Sequence, residues 1–77
     1  MPRLKLMSGR EVCKILSRHG YSQVRQKGSH IQMRKEIETD LGMASITVTV
    51  PDHREIGLKT LSRIILRSQL PRSLFES

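Results

Sequence analysis

Along this chain the spacing of apolar residues changes twice, and that change restricts the fold more than any other feature. Val12, Ile15, Leu16 and His19 recur at i, i+3, i+4 and i+7, the period of one helix face. Ile31 and Met33, then Ile46, Val48 and Val50, recur at every second residue, the period of a strand with one buried face. Leu58, Leu61, Ile64 and Ile65 return to helical spacing. Extended segments framed by two helices describe an α+β unit in the order α-β-β-β-α. With 77 residues the chain is long enough for one domain with a single thin core. We expect that domain to span 1–77, with a core of about 6–70 and a tail of 71–77 in which Leu74 and Phe75 can tuck against the core. Such a length excludes a dinucleotide-binding fold or a TIM barrel.

Local signals place the elements. Ser8 and Glu11 have the S-x-x-E spacing of a capping box, and Gly20 stands where a helix ends in left-handed backbone, so a helix is predicted from about Ser8 to His19. Tyr21 to Lys27 and Ser29 to Lys35 read as two strands joined through Gly28, which tolerates the positive φ of a tight hairpin. In the second of these, Ile31 and Met33 share one face, and His30, Gln32 and Arg34 share the other. Residues 36–43 hold Glu36, Glu38 and Asp40 and read as a longer connection ending at Gly42. A third strand alternates Ile46, Val48 and Val50 with Ser45, Thr47 and Thr49 before Pro51 closes it. After a turn over 51–55, a second helix is predicted from about Leu58 to Leu70, stopped by Pro71, with Leu58, Leu61, Ile64 and Ile65 buried. Lys59, Arg63 and Arg67 line another of its faces. The architecture expected is a three-stranded antiparallel sheet with both helices on one face and the other face open, carrying His30.

Composition then bears on function. Fourteen Lys and Arg against seven Asp and Glu give a formal net charge of +7, which points to a polyanionic partner or substrate. Tyr21 and Phe75 are the only aromatic residues, so bases are not held on a stacking platform. The single Cys13 builds neither a disulfide framework nor a thiolate zinc site within one chain. The longest apolar run, Ile64 to Leu66, is far too short to span a membrane, and the charged start lacks the apolar segment of a secretory signal. A cytoplasmic protein with no membrane association is expected.

Three histidines are the candidates for chemistry. His19 lies near the end of the first helix, where the dipole favours it. His30 follows a glycine turn among Lys27, Gln32 and Arg34. By spacing alone it is either an inert exposed residue or a general acid or base. Cleavage of RNA requires the second role, because the 2′-hydroxyl must lose a proton, the leaving oxygen must gain one, and cations must hold the charged phosphorus centre. His53 is either a turn residue or a second catalytic group. No spacing among the three suggests a metal-ligand set, so neither a metal nor another cofactor is expected. Ser29 and His30, as strand neighbours, point to opposite faces and make a poor nucleophile–base pair, and Cys13 reads as packing. The helix stripe Lys59, Arg63 and Arg67 is either a solvated face or a phosphate-binding one; with Arg25, Lys27 and Arg34 in the hairpin and so high a charge, phosphate contact is favoured.

Taken in order, these segments resemble a known family. The capped helix from Ser8 to Val12, then His19 to Tyr21, the run Arg25 to His30 (RQKGSH), the strand Thr47 to Pro51 with His53, and Lys59 to Ile64 are similar to the HicA (YcfA-like) toxins of bacterial toxin–antitoxin pairs. The likeness covers about Leu6 to Leu70, and its most specific part is the RQKGSH run. It implies a double-stranded-RNA-binding-domain-like α-β-β-β-α fold. It also implies a metal-independent endoribonuclease that cleaves mRNA and arrests translation, and a HicB-type antitoxin protein that covers the site. The family's catalytic histidine falls on His30, presented by Gly28 and Ser29. Departures exist: Lys59-Thr60-Leu61 stands where the family often has Gly-Thr-Leu, and Gln69-Leu70-Pro71 where a helix often ends in Ala-Gly. The chief alternative is an RNA-binding module of the same fold without catalysis; an adaptor domain for an acidic partner is a further one.

Overall fold

A computed structural model describes residues 3–76. Met1, Pro2 and Ser77, assigned above to the ends of the domain, lie outside the described residues. The elements run α1 (Gly9–Arg18), β1 (Ser22–Lys27), β2 (His30–Thr39), β3 (Gly42–Pro51), α2 (Leu58–Ser68) and a short 3₁₀ turn over Arg72–Phe75. The sheet is antiparallel in the order β1-β2-β3. This is the α-β-β-β-α order that the apolar spacing foretold, and it agrees with the double-stranded-RNA-binding-domain-like fold that the resemblance implies.

Helix α1 starts as its sequence dictates. The Ser8 hydroxyl accepts from the Glu11 amide at 3.1 Å, and the Glu11 carboxylate accepts from the Ser8 amide at 3.2 Å, a complete capping box. Val12 and Leu16 are fully buried and belong to one apolar cluster with Ile31, Met33, Val48 and Val50 of the sheet and Leu61 and Ile64 of α2. Both helices therefore share one apolar layer. Gly9 lets α1 approach the end of β3 closely: a methyl added there would run into the carbonyl oxygen of Pro51.

Four expectations are corrected. Residues 36–43 are not a long connection; β2 continues to Thr39 and β3 begins at Gly42, paired with each other across an Asp40–Leu41 turn. The acids there are the exposed residues of a two-stranded ribbon, while Ile37 keeps the apolar parity of β2. The Thr39 hydroxyl accepts from the Leu41 amide and donates to the Gly42 carbonyl, and Gly42 takes φ 110°. Helix α2 ends at Ser68, before Leu70, because Gln69 turns into left-handed backbone at φ 61° while the Ser68 hydroxyl accepts from the Leu70 amide. Leu58, the first residue of α2, is 50% exposed, and Ile56 fills the core in its place at 1%. His19 is no part of the buried stripe; it is the exposed C-cap of α1.

At the far end of the chain, Phe75 is fully buried. Its carbonyl accepts from the Lys5 amide at 2.8 Å, and Leu4 bridges to Glu76, so the segments before α1 and after α2 are joined.

Candidate functional site

The hairpin between β1 and β2 is built around its first turn residue. Gly28 has φ 57° with open space around it, so glycine is needed there for its backbone conformation and not for room. A positive φ at the first central position is the type II′ pattern, whose twist matches the two strands it joins. Three contacts hold this turn, one of them within the hairpin and two to the residue after β3. The Asp52 amide donates to the Ser29 carbonyl at 2.6 Å, and the Gln26 side-chain amide donates both to the Gly28 carbonyl at 3.2 Å and to the Asp52 carboxylate at 3.3 Å. The other carboxylate oxygen of Asp52 takes Arg10 of α1 at 3.3 Å, an ion pair worth little because Arg10 is exposed.

His30 leaves this turn as the first residue of β2, with Lys27 opposite on β1 and Pro51 opposite on β3. Its neighbour Ile31 is buried, so alternation sends the imidazole to the open face, where it is exposed. A depression of about 210 Å³ on that face is lined by Arg25, Lys27, His30 and Gln32. Strict alternation along β1 would have placed Arg25 and Lys27 on the same face as Gln23, which pairs with the buried Met33. A β-bulge between Gln23 and Arg25 prevents this. Val24 is the extra residue, and beyond it the parity reverses, so both cations join His30.

Arg34 is also on the open face, four positions further along β2 and opposite Thr47. Its Nε donates to the Thr47 hydroxyl at 3.4 Å, while Nε of Arg67 in α2 donates to the Thr47 carbonyl at 3.2 Å. Arg63 and Arg67 border a groove between α2 and β3 of about 250 Å³, lined also by Val48, Thr49, Thr60 and Ile64. Lys59 is exposed on α2 and lines neither depression. The structure thus gathers Arg25, Lys27 and His30 into one cluster and links Arg34 to Arg67. His53 stands apart. It is exposed in the loop after β3, its carbonyl accepts from the Gly9 amide at 2.9 Å, and among the described residues its side chain makes no hydrogen bond.

Sequence reasoning missed Gln26, Asp52, Thr47 and the Val24 bulge. Only the position of Asp52, directly after the strand-closing Pro51, carried a signal that it could meet the first hairpin turn. Cys13 is half-buried; burial first, and then the negative charge of Asp52, push its thiol up, which keeps it protonated and unreactive. Among the described residues no group of three His, Cys, Asp or Glu side chains converges as a metal site, and no helix is long and apolar enough to cross a membrane.

No curated protein matches the chain. The family model described as the HicA toxin of bacterial toxin–antitoxin systems, in contrast, matches residues 9–70. That stretch begins with the first residue of α1, contains the whole sheet with its histidine turn, and ends two residues past α2. With so much of the fold and all of the open-face cluster inside the match, the chain belongs to the HicA toxin family.

Proposed function

We propose that the protein is an endoribonuclease toxin of the mRNA-interferase kind, with His30 as its general acid or base. Family membership supports a toxin acting on mRNA. The observation that carries the catalytic assignment is the exposed imidazole of His30 beside Lys27, Arg25 and Gln32 on the open sheet face. In the reaction proposed, the 2′-hydroxyl of the substrate loses its proton and attacks the adjacent phosphorus. The bond from phosphorus to the 5′-oxygen breaks, and that oxygen takes up a proton. The products are a 2′,3′-cyclic phosphate and a 5′-hydroxyl. Lys27 and Arg25 offset the charge that builds on the phosphoryl oxygens, and Gly28 and Ser29 fix the direction of the imidazole. No metal or cofactor takes part in the steps proposed. Arg34, Lys59, Arg63 and Arg67 bind the RNA backbone. A HicB-type antitoxin is the proposed partner, laying an acidic or self-complementary surface over His30 and its cations and thereby excluding RNA.

Cleavage of a labelled transcript by wild type, His30→Ala and His53→Ala tests this. His30→Ala is expected to lower the rate by about 10²–10⁴-fold with the fold intact, the usual size of one acid–base contribution. His53→Ala is expected to cut near the wild-type rate, since no contact ties it to His30. Chelator is expected to leave the rate unchanged. Wild-type cutting by His30→Ala overturns the assignment, and RNA that stays intact with wild type points to a binding module instead.

A further inference from the structure

Charge along the open face of β2 changes sign. His30, Gln32, Arg34, Glu36 and Glu38 share that face by alternation, opposite Pro51, Thr49, Thr47, Ser45 and Met43 of β3. From His30 to Arg34 is four strand residues, roughly 13 Å. An RNA strand that continued straight along β2 past Arg34 would bring its phosphates against two carboxylates. A sideways route is available at the same point. Thr47 faces Arg34 directly, and it holds Arg34 through its hydroxyl and Arg67 through its carbonyl. Both bonds use Nε, which leaves the terminal N–H groups of both guanidinium forks for phosphate oxygens. Beyond Thr47, the groove between β3 and α2 continues with Thr49, Thr60 and Arg63.

We infer that the RNA strand leaves the sheet at Thr47 and crosses β3 onto α2, with Thr47 as the positioning residue that aligns two arginines at the bend and Glu36 and Glu38 as the barrier that closes the straight route. This rests on the function proposed above, and it adds to that function the direction in which the substrate runs. Thr47 touches no reacting atom; it acts through Arg34 and Arg67.

The test separates path from chemistry by working in the His30→Ala protein, which holds RNA without the proposed acid–base group. Affinity for a short single-stranded RNA is measured by fluorescence anisotropy over a range of salt concentrations. Arg63→Gln and Arg67→Gln are each expected to weaken binding and to make the slope of log K against log salt shallower by about 0.7, the value of one phosphate contact on a single strand. Thr47→Val keeps the β-branched shape and both positive charges; it is expected to weaken binding without changing that slope, and Thr47→Ser is expected to restore it. The pair Glu36→Gln and Glu38→Gln is expected to tighten binding and to reduce the loss caused by Arg67→Gln, because the straight route is then open. Parent-like binding by Arg63→Gln and Arg67→Gln, or by Thr47→Val, overturns the inference, as does a pair of Glu→Gln changes that leaves affinity unaltered. Failure of cleavage in the otherwise wild-type protein counts against the role of His30 and not against the path.

Discussion

Tyr21 is gripped at both of its ends. Its hydroxyl donates to the Ser68 carbonyl at 2.9 Å, and the Lys35 ammonium lies 5.8 Å from its ring centre. Burial pushes the phenol above its ordinary value, with the Arg67 charge pulling the other way. The folded protein therefore holds this proton more tightly than the unfolded chain does. The resulting stabilisation is fully present below about pH 10, the unfolded value, and is lost as pH rises through the folded one. Thermal melts between pH 8 and 11 are expected to show wild type weakening above pH 10 and Tyr21→Phe changing less over the same range. At neutral pH, Tyr21→Phe is expected to be less stable by about 1–3 kcal/mol, because the buried Ser68 carbonyl loses its partner. An equal alkaline loss in both proteins would contradict this. None of it was legible in the sequence, where Tyr21 opens a strand and its acceptor lies 47 residues away. His30 was legible, because its exposure follows from a local rule: a glycine turn, then alternation beside buried Ile31 and Met33.

The elements show the same division between local and non-local causes. Helix α1 was readable from its cap and stripe, and β3 from its β-branched alternation, since each signal lies within about ten residues. The bulge in β1 has no such signature. Val24 is 47% exposed, in a strand whose residues are all exposed, so no apolar pattern marks the change of parity. The β2–β3 ribbon was hidden for a different reason: its acids suggested a loop, and Asp40–Leu41 lacks the Asn-Gly or Asp-Gly signal of a tight hairpin. Deleting Val24 tests the bulge. Without it, Arg25 follows Gln23 directly, and plain alternation keeps Arg25 and Lys27 on the face of His30 while Tyr21 stays in the core. The expected outcome is RNA binding and a melting temperature close to those of wild type. Loss of either would show that Val24 does more than set the parity of β1.

As a body the protein is a slab, 37 × 33 × 19 Å. One apolar layer lies between the sheet and the helices, and it is completed by Phe75 from the last residues described. A fold of this length has a total stability on the order of 4–12 kcal/mol. Phe75→Ala is expected to remove about 3–5 kcal/mol of it, a large share, readable as an earlier urea midpoint. A midpoint within error of wild type would mean that the segment after α2 is dispensable. Docking of the tail on the core was suggested in the sequence by the apolar pair Leu74 and Phe75, but the pairing of Leu4 with Glu76 is a long-range match that no periodicity encodes.

All of this packing lies on one side of the sheet. Among the described residues, no second layer covers the side that carries His30. Under the function proposed above, a HicB-type cover would silence the toxin from that side, and the dwell time of that partner would then govern how long the site stays shut.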